Sequence, residues 1–132
     1  MDPCFQIVEI IVPGINFLIV FVPWEAGLFL FLHSGIPIMD FNDFQLSLSK
    51  PTPPGDLSAY LQSLWYDGKG DWNKAHVVIQ DMEGHTAAWI HAYLHRKEGD
   101  IGNADYWYRR ADRSRPSYSF QKEWEEMVKV LL

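Results

Sequence analysis

The sequence predicts an all-α fold of antiparallel helix-turn-helix pairs with a C-terminal covering helix, preceded by an apolar N-terminal extension. Three observations lead there. After Met39, apolar residues recur at i, i+3, i+4 and i+7 in several stretches, which is one face of a 3.6-residue period. Two Gly-Asp pairs, Gly70-Asp71 and Gly99-Asp100, stand between such stretches with no spare residues. Nothing after Met39 alternates as a strand would.

The lead, residues 1–38, differs from the rest. No Lys or Arg precedes Lys50, and Asp2, Glu9 and Glu25 give the lead a charge of −3. Residues 10–32 are almost wholly apolar and long enough to span a bilayer. Pro13, Gly14 and Pro23 interrupt them, Asn16 and Glu25 are polar, and no basic flank sets an orientation. An acidic start also makes a poor signal peptide. Three readings stay open: an appended extension from an upstream start, a membrane anchor, and a β-hairpin turning at Pro13-Gly14. The domains are accordingly 1–38, an apolar extension, and 39–132, a helical hairpin domain.

From Met39 each element has its own signal. Phe41, Phe44 and Leu48 lie at helical spacing. Pro51, Pro53 and Pro54 then forbid helix. Asp56 is placed to cap the next helix, whose stripe is Leu57, Tyr60, Leu61, Leu64 and Trp65, ending before Gly68. A second helix follows Asp71, with Trp72, Ala75, Ile79 and Met82 on one stripe and Gly84 at its end. The third runs from about Thr86 to Lys97 and the fourth from Ile101 to about Ala111. Gly99 can take the left-handed conformation that closes a helix, and Asp100 can accept the free N–H groups of the next one. The last helix opens at Ser117 or Ser119, with Phe120, Trp124, Met127, Val128 and Leu131 inward and Glu123, Glu125 and Glu126 outward.

Superposing Gly70-Asp71 on Gly99-Asp100 also pairs Ala75 with Ala104, so G-D-x-x-x-A occurs twice, 29 residues apart. With Leu64–His76 and Tyr93–Ala111 around these turns, the chain resembles tetratricopeptide or Sel1-like helical repeats. The spacing is shorter than the usual ~34, and the Pro that closes a tetratricopeptide unit is missing. From about Phe44 to Leu132 the chain also resembles a family of small microbial proteins built on A-W-x-H-A-Y-L-H-R-K-E-G-D-x-x-N-A-x-Y-W-Y-R-R-A. The match is close from Ala88 to Ala111. Both resemblances imply a helical fold; the second implies no particular activity.

Composition narrows the function classes. A net charge of −6 gives no overall attraction to nucleic acid or anionic membrane. The single cysteine, Cys4, rules out a disulfide within these residues and a Cys-based zinc knuckle. A reducing, cytoplasmic setting fits that count, with membrane association through residues 10–32 as the alternative. No Ser-His-Asp elbow, glycine-rich phosphate loop or Walker pattern occurs.

Two clusters and an aromatic excess remain. His91, His95 and Glu98 lie at i, i+4 and i+7 on the third helix. Two imidazoles and a carboxylate suit a divalent metal such as zinc, with an open position for water, and His76 on the preceding helix is a further candidate ligand. The bland alternative is that these are half-buried packing histidines; the H-E-x-x-H pattern is absent. Arg109, Arg110, Arg113 and Arg115 form a basic cluster beside Tyr106, Trp107 and Tyr108, suited to phosphate, carboxylate or single-stranded nucleic acid. Local neutralisation, with Asp105 pairing Arg109, is the bland alternative there. Trp65, Tyr66, Trp72, Trp89, Tyr93, Tyr106, Trp107 and Tyr108 cannot all sit inward on helices this short, so some should line a groove, unless they simply form a large aromatic core.

The leading expectation is therefore a non-enzymatic protein-interaction module without a cofactor. It would bind a protein or acidic peptide through Tyr106, Arg109, Arg110 and Tyr93, with Ala104, Trp107 and Ala111 inside. The alternative is a metal-dependent hydrolase using His91, His95 and Glu98. A phosphate or nucleic-acid binder through Arg109–Arg115 is the weaker third reading.

Overall fold

The computed structural model describes residues 38–132 together with the backbone of two strands, β1 (Ile7–Val12) and β2 (Ile15–Val20). The strands pair antiparallel, from Ile7 opposite Val20 to Val12 opposite Ile15. The rest of the lead, including Pro13-Gly14 and most of the apolar run 10–32, lies outside the described residues. So does the choice between an appended extension and an anchor. No helix among the described residues is long and apolar enough to cross a membrane. The chain divides into two units, Met1–Ile38 and Met39–Leu132.

The second unit is all helical: α1 (Phe41–Ser47), α2 (Ala59–Gly68), α3 (Trp72–Ile79), α4 (His85–Glu98), α5 (Ile101–Arg110) and α6 (Phe120–Leu131). Helices α2 and α3 form one hairpin, α4 and α5 the other; α3 packs on α4, and α6 lies against α2 and α4.

The two hairpin turns share their chemistry. Gly70 has φ +81° and Gly99 φ +96°, where a Cβ would be strained. The Asp71 N–H donates to the Tyr66 carbonyl (2.9 Å) and the Asp100 N–H to the His95 carbonyl (3.0 Å), one five-residue bond at each turn. The Asp71 and Asp100 carboxylates then accept the N–H groups of Lys74 (3.1 Å) and Asn103 (3.2 Å). Ala75 and Ala104 are fully buried, so backbones approach closely where each second helix begins.

Helix α4 is the centre of the unit. It is buried without interruption from Ala87 to His95, as expected of a helix surrounded on all sides. Around it Phe44, Leu64, Trp65, Ile79, Tyr108, Met127 and Val128 close the core. Buried indoles keep a hydrogen-bond partner: Trp65 donates to Ser47 Oγ (3.0 Å), and Trp124 donates to the Leu64 carbonyl (2.9 Å).

Several local expectations change. Ser58, not Asp56, caps α2, accepting the Leu61 N–H; the turn Pro54–Leu57 first delivers Leu57 to the core. Helix α3 ends at Ile79, and Gly84, at φ +101°, opens α4 instead of closing α3. Ser119 caps α6.

The largest change is Glu123, expected outward and fully buried. Its Oε1 accepts Trp89 Nε1 (3.1 Å) and the Tyr108 hydroxyl (2.7 Å), and its Oε2 accepts Arg96 Nη1 (2.6 Å). A buried carboxylate is stable where it is paired and hydrogen-bonded in this way. The same bond draws Tyr108 inside, while Trp107 stays half-buried. Phe120, expected inward, is exposed under the Arg96 guanidinium, 4.6 Å from its ring centre.

Candidate metal centre

His91 and His95 sit one turn apart on α4, so their rings project from one face of the helix. Opposite them His76 occupies the last turn of α3. The tight α2–α3 turn and the docking of α3 on α4 bring the three together. One ligand nitrogen from each lies within 4.8 Å of the other two. His91 and His95 are buried and His76 is half-buried.

Aromatic rings hold the cluster in place. Trp107 stacks on His91 with centroids 4.1 Å apart, and Trp72 stacks on His76 at 4.8 Å. His91 and His95 stack on each other at 4.9 Å, with His76 edge-on to both. Trp72 is itself pinned by its Nε1–H to the Leu94 carbonyl (2.9 Å).

Hydrogen bonds settle one tautomer. Glu98 Oε2 lies 3.1 Å from His95 Nδ1, and a carboxylate only accepts, so Nδ1 carries the proton. His95 Nε2 then presents a lone pair, which takes an amide N–H of Asn103 at 3.1 Å. His76 and His91 meet Nε2 to Nε2 at 2.9 Å, so one donates to the other. Burial, followed by the neighbouring His76 and His95, pushes the His91 pKa down to about 4. Burial also lowers His76, His95 adds to the effect, and Glu98 opposes it. Neutral imidazole is the form that binds metal.

Of the expected set His91, His95 and Glu98, the structure clusters the two histidines. Glu98 is not one of the clustered ligands: as the last residue of α4 it reaches back to the far nitrogen of His95. That is where a carboxylate orients a ligating histidine. His76 takes its place in the group. The sequence reading missed Asn103 and Trp72. A signal existed for Trp72, which precedes His76 by four residues on one helix face.

Comparison with family models, curated proteins and solved structures finds no match to the chain.

The basic cluster is divided. Arg115 Nε pairs with Asp105 (2.7 Å), in place of the expected Asp105–Arg109 pair. Arg113 lies over the Trp89 ring at 3.4 Å and within 4.0 Å of Glu126. Arg109, Arg110 and Tyr106 are exposed, and among the described residues neither arginine has a carboxylate partner. Arg110 donates to the Tyr106 hydroxyl (3.0 Å), with its guanidinium 5.2 Å from the Trp107 ring centre. Ala104 and Ala111 are inside, as expected. Tyr93 does not join this face. It is buried, donating its hydroxyl to Asp67 Oδ2 (2.9 Å), while Lys97 binds Oδ1 (2.8 Å). The inward turn of that carboxylate draws the phenol with it.

Proposed function

We propose that this protein binds one divalent transition metal ion through His76, His91 and His95. The observation that carries the reading is the convergence of three imidazoles, from two helices, with their ligand atoms within 4.8 Å of one another. Tetrahedral zinc with bonds of about 2.0–2.1 Å separates its nitrogen ligands by roughly 3.3 Å. To reach that spacing the His76–His91 contact must open slightly from 2.9 Å while the widest separation, within 4.8 Å, closes. An all-imidazole set suits zinc, copper(II), nickel or cobalt and disfavours magnesium and calcium, which prefer oxygen. The metal would neutralise the lone-pair crowding that the rings otherwise resolve by sharing a proton.

The test is calorimetric titration of the metal-free full chain with zinc chloride. One ion per chain is expected, with binding lost in His91→Ala and His95→Ala variants that keep their helical spectrum. Absence of stoichiometric binding by the intact chain would overturn the reading.

A second reading has its own observation. The exposed Arg109 and Arg110 beside Tyr106 form a guanidinium-and-aromatic face in which, among the described residues, neither arginine makes an ion pair. Such a face suits a carboxylate of a protein partner, bound bidentately. Asp81 and Glu83 border the same groove as Trp107 and Arg110, so a single chain-terminal carboxylate fits better than a run of acidic residues. The metal reading uses side chains of α3 and α4 and the peptide reading exposed side chains of α5, so the two are compatible. The tetratricopeptide-like reading of the paired turns belongs with this second proposal. Arg113 and Arg115 are occupied internally, which leaves little for a nucleic-acid site.

A further inference from the structure

We infer that Asn103 is the fourth ligand of this centre, and that its side-chain amide turns over when the metal binds. The inference rests on the three-histidine reading. Asn103 donates an N–H to His95 Nε2 at 3.1 Å. That nitrogen is the lone pair the metal needs, because Glu98 holds the proton on the other side of the ring. Asn103 therefore stands where a neighbouring ligand would stand. Its 3.1 Å distance from Nε2 is close to the edge of a coordination tetrahedron, roughly 3.3 Å.

The amide cannot keep its orientation once a cation arrives. An NH₂ group aimed at a cation is repelled, and its acceptor has been taken. Rotation by half a turn about the Cβ–Cγ bond exchanges the NH₂ for the carbonyl oxygen with little change of shape, and amide oxygen is a metal ligand. Without a cation the same rotation is unfavourable, since two lone pairs would face each other. The side chain thus has two states, chosen by the metal. Its backbone does not move: the Asn103 N–H is held by Asp100 Oδ1 in the first turn of α5.

A three-nitrogen, one-oxygen site built wholly from protein is closed. It keeps no water for hydrolysis, so it serves holding or sensing of the ion rather than metal-assisted hydrolysis. It also joins α5 to α3 and α4, which no histidine does alone.

The experiment uses zinc and cobalt(II) on the full chain, comparing wild type with Asn103→Ala and Asn103→Asp. Asn103→Ala should bind zinc at least roughly tenfold more weakly, as loss of a ligand costs no less than loss of an outer-shell partner. Asn103→Asp should bind more tightly, because a carboxylate oxygen occupies the same place with charge. Cobalt(II) in the wild type should show the intense visible absorption of a four-coordinate site, weakened in Asn103→Ala. The Asn103 side-chain amide signals in a nitrogen-15 spectrum should shift on zinc addition. If Asn103→Ala binds equally or more tightly, the amide is only a competitor and the inference fails while the histidine site stands. If the wild type binds neither ion, both fail.

Discussion

His76 Nε2 and His91 Nε2 face each other at 2.9 Å across the α3–α4 interface, so the pair can share one proton but resists two. Burial first, then the imidazoles of His76 and His95, brings His91 down to about 4 from an ordinary 6.5. The folded His91 therefore takes up its proton at lower pH than the unfolded chain does. As pH falls from about 6.5 toward 4, the unfolded chain binds the proton and the folded one does not, so stability falls through that window. Above it His91 contributes no pH dependence. Urea unfolding of metal-free protein from pH 7.5 to 4 should show this loss, and His91→Gln should show less of it. Equal slopes for the two proteins would place the acid sensitivity elsewhere.

Zinc should raise the unfolding midpoint of the wild type and leave a His76→Ala, His91→Ala variant unmoved. Binding to the native state alone adds about 2.7 kcal/mol when free metal is a hundred times the dissociation constant. A chelator should reverse the shift. Thermal unfolding with and without zinc measures it, and a rise that persists in the double variant would mean the metal acts at another place.

Glu123→Ala should be among the most damaging substitutions, costing about 3–5 kcal/mol, because it leaves the Arg96 charge beside the core without its partner. It also strands the Trp89 and Tyr108 donors, both otherwise satisfied by Glu123 Oε1. Glu123→Gln keeps one acceptor and should cost less. Equilibrium denaturation ranks the three proteins. A cost below that of an ordinary surface substitution would mean that Arg96 swings out to water at little expense.

Gly99→Ala should cost about 1 kcal/mol through backbone strain at its φ of +96°. A Cβ there meets no atom within 4 Å, so no steric term adds to it. Gly70→Ala, at φ +81° and equally open, should behave alike. Denaturation midpoints of the two variants should agree closely, and a neutral result at either would show that its turn relaxes.

An Arg109→Ala, Arg110→Ala variant should keep the wild-type stability, since both side chains are exposed without carboxylate partners among the described residues. It should lose affinity for a peptide ending in a free carboxylate, while the wild type binds such a peptide more weakly as salt rises. Fluorescence anisotropy with free and amidated peptides makes the comparison. Equal binding by variant and wild type removes the guanidinium face from recognition.

Local chemistry was legible where a residue's neighbours in sequence are also its neighbours in space. Gly99 and Asp100 announced their turn because the left-handed angle and the cap act within a few residues. The stripe Leu57, Leu61, Leu64 and Trp65 announced a buried face for the same reason. His91 and His95 could be paired from helical spacing alone. The arrival of His76 depended on how α3 docks against α4, whereas the contact of Glu98 with His95 is a local one within α4. Glu123 shows the limit most sharply. Its place among Glu125 and Glu126 on an amphipathic helix reads as solvent-facing, and only Trp89, Tyr108 and Arg96 make burial tolerable. Those donors lie 15 to 34 residues away, and a charge is buried or exposed according to partners that the tertiary structure alone assembles.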